Sequence, residues 1–359
     1  MSKRFFSGDY REARSKFREA AASAGARLES YDNAETKGPA SEALITDVAR
    51  LGPDAAAQVL VTVSGTHGAE GFCGSGVQTG SFLSGIAREL PHDTTLLAIH
   101  AINPYGFAWT RRVTEDNVDL NRNFVDHTRP LPANEGYIEL ADAICPVDWS
   151  EPAQQRARAR LAEFGWSHGA AALQKAITAG QYSHPHGIFY GGAAPTWSRR
   201  TALAIAEKHF SRARRVAVID YHTGLGPYGH GEKIVIHRHG SAALVRAREW
   251  YGDITSTSLG TSNSSDVVGD LLTGLEQALP GVELTGMALE YGVLSMQETI
   301  DAVRADNWLH HHGQLESEQG RAIKAQIRAA FYGDADDWKG MVFDQGIAAQ
   351  RSALRGLAG

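Results

Sequence analysis

Apolar residues recur along this chain at two spacings. From Tyr10 onward, Phe17, Ala20, Ala21 and Ala24 fall on one helical face, and Gly25 supplies a stop. Short apolar and β-branched runs then predict strands over 41–49, 59–63 and 95–102, with a glycine-rich helix over 76–90 between the last two. Strand, helix, strand at these lengths is a βαβ unit, and such units build parallel sheets. Further on, the pattern predicts helices over 200–210, 242–251, 297–309 and 316–331, and strands over 216–221, 233–237 and 285–291. The tail after Asp334 carries no decisive period. Together these describe an α/β fold, a mixed and largely parallel sheet between helices in three layers.

Other stretches follow neither spacing. Residues 103–124 are dense in Asn, Asp and Arg directly after a buried strand, which marks a candidate site loop. Residues 130–152 read as irregular, 153–179 as two short helices broken near 165–169, and 181–192 (QYSHPHGIFYGG) as a loop. With no repeat and no low-complexity linker, the reading is one domain over 1–359 with an internal excursion at about 129–215.

Composition narrows the function classes. At 359 residues and 43% hydrophobic content the chain can bury a large core. A net charge of −6 with both signs mixed excludes an electrostatic partner of nucleic acid or anionic lipid. Two cysteines, Cys73 and Cys145, build no disulfide framework and fit a reducing compartment. The N-terminus is charged without an apolar h-region, and no run approaches a membrane span. The expectation is a soluble, cytoplasmic protein, with self-association left open.

The chemistry gathers where strands end, which in open α/β sheets is where functional groups collect. The strand over 59–63 runs into a glycine-rich turn carrying His67 and Glu70, three residues apart. The next strand feeds the loop with Arg111, Arg112, Asn121 and Arg122, the strand over 216–221 ends at His222, and the late strand carries Glu290. Imidazole nitrogen and carboxylate oxygen are both zinc ligands, and a catalytic zinc takes three protein ligands. His67, Glu70 and His222 supply such a set, one ion per chain. Glu290 remains as a carboxylate able to take a proton from an activated water. Arginines beside such a site polarise a carbonyl or clamp a carboxylate.

Four stretches, THGAEG at 66–71, NPYGFAWTRRVTEDNVDLNRNF at 103–124, DYHTG at 220–224 and ALEYG at 288–292, resemble the zinc carboxypeptidases in identity and order. The chain especially resembles a bacterial branch described only as a domain of unknown function. More distantly it extends to the aspartoacylase and succinylglutamate desuccinylase group. The resemblance implies zinc ligands at His67, Glu70 and His222 and a general base at Glu290. It also implies an oxyanion-stabilising arginine at Arg112, with Arg111 as the second choice, and a substrate carboxylate held by Asn121 and Arg122. The implied activity is zinc-dependent hydrolysis of an amide beside a free carboxylate, on short peptides or N-acyl amino acids. The alternatives are an aspartoacylase-type deacylase and, from another class, a binding module that has lost the chemistry.

The excursion departs from that family by its length. Both its ends are anchored beside the site, so its loop is expected to wall the cavity with Tyr182, Phe189 and Tyr190. Tyr190 is the candidate substrate contact there. The family's mobile tyrosine has three candidates, Tyr228, Tyr251 and Tyr291. His184 and His186 are expected in the loop or pocket, and the run His310 to His312 at a helix end.

Overall fold

The computed structural model describes residues 2–262 and 267–359. Among these, eight strands form one sheet in the order β1-β2-β4-β3-β5-β8-β6-β7. They are β1 (Arg27–Lys37), β2 (Ala43–Leu51), β3 (Gln58–Val63), β4 (Thr94–His100), β5 (Arg215–Tyr228), β6 (Gly231–Val235), β7 (Thr255–Ser256) and β8 (Glu283–Gly292). The centre, β4-β3-β5-β8, is parallel, while β1, β2 and β6 join antiparallel to their inner neighbours.

Helices connect these strands. They are α1 (Tyr10–Ser23), α2 (Gly71–Leu83), α3 (Ile86–Glu89), α4 (Pro104–Trp109), α5 (Glu135–Ile144), α6 (Glu151–His168) and α7 (Ala170–Thr178), then α8 (Trp197–His209), α9 (Ala242–Tyr251), α10 (Leu271–Ala278), α11 (Met296–His312), α12 (Glu318–Phe331) and α13 (Asp336–Ala358).

The pleat divides the core. Successive strand side chains point to opposite faces, so Leu60, Ala217, Ile219 and Met287 meet α1, α2, α9 and α13. Their neighbours Val59, Val61, Val216 and Val218 meet α8 and α10 on the other face. The excursion has an apolar cluster of its own, in which Tyr137, Leu140, Phe164 and Ile177 pack with Val303 of α11 and Phe331 of α12. α13 closes the first layer from inside. Its buried Gln350 accepts from Ser81 Oγ and donates to Tyr221 Oη at 2.9 Å, and Trp338 Nε1 donates to the Gly292 carbonyl at 3.0 Å.

The observed elements depart from the expected ones where tertiary contacts override local pattern. β1 precedes the first expected strand, and its charged sequence buries only Asn33. The stretch read as irregular before 152 holds α5, which Asn134 caps by accepting from the Tyr137 N–H. The site loop holds α4, opened by Asn103 and Pro104. The helix expected over 76–90 instead begins at Gly71 and ends at Leu83, with α3 after it. α10 was hidden in an unassigned stretch, and the tail forms the long α13.

Candidate metal centre

The turn after β3 is built by close backbone approach. Gly65 has φ +71°, a left-handed conformation that suits glycine. At Gly68 an added Cβ would lie 1.9 Å from the carbonyl carbon of Gly106, so two glycine backbones pass in contact. Here the Gly68 and Ala69 N–H groups donate to the carbonyls of Arg112 and Arg111, at 3.2 and 2.7 Å. These bonds fix the register of the arginine loop against the turn that carries His67 and Glu70.

His67, Glu70 and His222 come together, each with a ligand-type atom within 4.8 Å of the others, and all three are buried. The two imidazoles turn the same edge inward. His67 Nδ1 lies 2.9 Å from Glu70 Oε1, and His222 Nδ1 lies 2.9 Å from Glu70 Oε2. Their outer nitrogens rest on carboxylates: His67 Nε2 is 3.0 Å from Asp119 Oδ1, and His222 Nε2 is 2.7 Å from Asp220 Oδ2. The carboxylate beside each Nε2 favours a proton there, so each Nδ1 meets the Glu70 oxygens through a second proton or through a metal ion. An outer carboxylate on a ligating histidine orients the ring and raises its basicity. The donor set, its burial and these supports fit a metal ion.

Asp119 and Asp220 were not singled out from sequence, although both lie inside quoted motifs. For Asp220 a signal existed: it stands two residues before His222 on β5, and alternate strand residues share a face.

Glu290 enters from the adjacent strand, where the register of β5 and β8 pairs it with His222. Its Oε1 accepts from the Leu225 N–H at 3.0 Å. Burial, together with the negative charge of Glu70, pushes its carboxyl up to about 8. Glu70 goes the other way. Burial opposes its ionisation, but the charge of His67 and hydrogen bonds from His222 and His67 outweigh this and hold the carboxyl well below its ordinary range. His222 is likewise held well above its ordinary value: burial opposes the charge, and Asp220 and Glu70 overcome it. Protons and a metal ion would therefore compete for the same Nδ1 lone pairs.

The remaining expected residues separate. Arg112 faces the cluster, with Nη1 3.0 Å from Glu70 Oε1, Nε 3.0 Å from Asp119 Oδ2 and Nη2 2.9 Å from His67 Nε2. Arg111 does not line the cavity. Its Nε donates to Asp306 at 3.0 Å and its Nη2 to Asn117 at 3.2 Å, because the backbone bonds to the metal turn send consecutive side chains to opposite sides. Asn121 lines the cavity and accepts the Leu271 N–H on its Oδ1, at 2.9 Å.

Arg122 also lines the cavity, but three of its five donors are spent. They go to the carbonyls of Asn121, Thr178 and Ala179, at 3.0, 2.6 and 3.1 Å.

The excursion does reach the site, through Gln174, Thr178 and Phe189. Tyr190, the expected substrate contact, is absent from the lining. Phe189 takes that place, and Tyr190 serves through its carbonyl, which accepts from the Asp119 N–H at 2.7 Å. Tyr228, Tyr251 and Tyr291 do not line the cavity either; Tyr228 donates to Asp337 and Tyr291 to the Val342 carbonyl. His186 meets His311 outside the cavity, their Nδ1 atoms 3.1 Å apart. Among the described residues the His67, Glu70, His222 group is the one metal-type cluster of three or more.

The cavity over the cluster has a volume of about 130 Å³. Its polar lining is the cluster with Glu290, Arg112 and Asn121, and its apolar walls include Leu225, Ile234, Leu272, Phe189, Ile300 and Val303.

The chain matches no curated protein. Over most of its length it is similar to several solved structures. Carboxypeptidase A from Helicoverpa armigera shows 13% identity over 90% of this chain and 74% of that one, with a TM-score of 0.46. Succinylglutamate desuccinylase from Chromobacterium violaceum shows 14% identity over 89% and 73%, with a TM-score of 0.38. Bovine thrombin-activatable fibrinolysis inhibitor in complex with tick carboxypeptidase inhibitor shows 10% identity over 95% and 97%, with a TM-score of 0.41. A family model described as "Protein of unknown function (DUF2817)" matches residues 6–345.

Proposed function

The chain belongs to the DUF2817 family, and we propose that it is a zinc-dependent hydrolase of amide bonds in small substrates that carry a free carboxylate. The observation that carries this reading is the convergence of two carboxylate-backed imidazole Nδ1 atoms on Glu70, beside a buried glutamate and a buried arginine. Two imidazoles and one carboxylate are a zinc donor set that leaves a coordination position open. Bound there, zinc would supply Lewis acidity and a more acidic water.

The protein's own residues account for the remaining steps. Glu290 is the proton carrier: burial and the charge of Glu70 raise the pKa of its carboxyl, which stands beside the cluster where it can accept and deliver a proton. A cation in the cluster would draw that value down by charge. Arg112 is fixed by Asp119 and Glu70 with its guanidinium in the cavity lining, placed to stabilise negative charge developing on the carbonyl oxygen. Asn121 offers its amide N–H groups, and Arg122 its two uncommitted donors, to a substrate carboxylate. The apolar walls exclude water from the reacting bond.

Apolar walls that close round a polar cluster favour an N-acyl amino acid or a dipeptide over a long chain. The Gln174, Thr178 and Phe189 wall contributed by the excursion favours the same choice.

The test is a screen of N-acyl amino acids, dipeptides and a matched hexapeptide, read by amine release, on zinc-loaded wild type and Glu290→Gln. The expected result is turnover of the small substrates, with zinc retained and turnover down by about 10²–10⁴-fold in the variant. Turnover within a few-fold of wild type would remove Glu290 from the mechanism, and rates level or rising with chain length would remove the size limit.

A further inference from the structure

The loop over 181–192 holds a residue in an unusual state. Phe189 has φ +55°, in the left-handed region where a bulky side chain is an outlier. Such conformations persist only where the surroundings over-determine them, and they cluster at functional sites. Here the surroundings are visible. The Gln181 N–H donates to the Phe189 carbonyl at 3.1 Å, and the Gly191 N–H to the Gln181 carbonyl at 2.8 Å. The site loop grips the same segment: the Asp119 N–H donates to the Tyr190 carbonyl at 2.7 Å, and Asn123 Nδ2 to the Gly191 carbonyl at 2.8 Å. Asn117 Nδ2 lies within bonding distance of the carbonyls of Pro185 and Gly187, at 2.9 and 3.2 Å.

The strained backbone delivers one thing to the cavity, the phenyl ring. Arg112 Cζ lies 5.2 Å from the ring centroid and Arg122 Cζ lies 5.7 Å from it. Both distances are within cation–π range. The ring is nearly buried, and it shares an apolar cluster with Ala69, between the ligand-type residues His67 and Glu70. The Arg112 guanidinium is thus held by hydrogen bonds to Asp119 and Glu70 and by the Phe189 ring beside it.

We infer that Phe189 is a positioning residue: its ring fixes the guanidinium groups of Arg112 and Arg122 over the cluster before substrate arrives, which makes the excursion loop part of the active site. The inference rests on the proposed hydrolase reading for its catalytic consequence, though not for its geometry. When Glu70 serves as a metal ligand, its Oε1 is shared, and Asp119 and the ring are the holds that remain on Arg112. The strain at residue 189 is then the means by which a loop from outside the sheet sets the direction of a charge inside it.

The test uses Phe189→Leu, which keeps an apolar side chain and removes the π face, and Phe189→Tyr, which restores that face. Arg112 and Arg122 Nε–H signals are followed by NMR in the full chain, with and without zinc, and assigned through Arg112→Lys and Arg122→Lys. Wild type should show two slowly exchanging signals displaced by ring current. In Phe189→Leu, exchange should quicken by about tenfold, the factor that losing ~1.4 kcal/mol of cation–π attraction produces. On the best substrate from the screen, kcat should fall by a similar factor with KM within about twofold. Phe189→Tyr should recover most of both losses. If Phe189→Leu does not fold, Phe189→Met is read in the same way. Unmoved arginine signals in a folded variant overturn the inference, as does a loss confined to KM. If wild type cleaves no amide at all, the hydrolase reading fails, and the arginine signals alone decide the role of Phe189.

Discussion

Replacing Asp220 by asparagine isolates what the outer carboxylate does for the cluster. Asp220 is buried, with Oδ2 2.7 Å from His222 Nε2 and Oδ1 accepting from Thr66 Oγ1 at 2.8 Å. An amide of the same shape keeps both contacts, since its oxygen can accept from Nε2–H and its nitrogen can donate to the Thr66 hydroxyl. Only the charge is lost. Removing such a support typically costs about 10–100-fold in metal affinity, or ~1.4–2.8 kcal/mol.

The pH dependence carries the sharper test. Asp220 and Glu70 hold His222 above its ordinary value, so in wild type a metal ion must displace a more tightly held proton. The Asp220→Asn substitution lowers that value and so reduces the proton's competition. The two effects oppose each other below the wild-type value, and only the loss of basicity remains above it. The affinity deficit should therefore shrink as pH falls through that value. Zinc competition against a chromophoric chelator at pH 6.5, 7.5 and 9 measures it, with His67→Ala as the non-binding control. Equal affinities for wild type and Asp220→Asn at all three pH values, or a deficit that grows as pH falls, would refute this account of the support.

Two further expectations concern stability. Arg122→Ala frees the carbonyls of Asn121, Thr178 and Ala179 and should destabilise by about 2–4 kcal/mol in urea unfolding, with Arg122→Lys recovering at most one bond. An unchanged unfolding midpoint with raised KM would make Arg122 a carboxylate clamp alone. His100, fully buried with its Nε2 2.9 Å from Ser75 Oγ, has its pKa lowered from 6.5 to about 4 by burial, the charge of Asp47 only partly opposing this. Its neutral form is favoured by folding, so that contribution is fully present above 6.5 and is lost as pH falls towards 4. It amounts to about 3 kcal/mol in all. His100→Gln should lose less stability than wild type between pH 7 and pH 4, and an identical acid loss in both would assign the dependence to other groups.

The parallel core of the fold was legible because β3, β4, β5 and β8 are buried on both faces and read as continuous apolar runs. β1 escaped because an edge strand needs no apolar side chains; its order comes from backbone pairing with β2. α5 and α13 escaped because their burial depends on surfaces elsewhere in the chain, such as the Tyr221 hydroxyl that receives Gln350. At the site, residue types and strand-end positions pointed to His67, Glu70, His222 and Glu290, the family resemblance favoured Arg112, and the structure brings these together. Direction was not legible. Whether Arg111 or Arg112 faced inward depended on two backbone bonds to Gly68 and Ala69, and whether Phe189 or Tyr190 did depended on one left-handed φ. The commitment of Arg122 to main-chain carbonyls at 178 and 179 joins segments far apart in sequence and leaves no local trace.

The extent of α13 bears on where the chain can be cut. The family match stops at residue 345, midway along a helix that runs from Asp336 to Ala358. Beyond that limit Ile347, Ala349, Gln350, Ala353, Leu354 and Leu357 are all buried. A gene trimmed to the matched span would strip the Ser81 and Tyr221 hydroxyls of their shared partner and lay open an apolar seam beneath β5, the strand that carries His222. An inactive product of that kind would report an exposed interior, and would carry no information about the chemistry of the site.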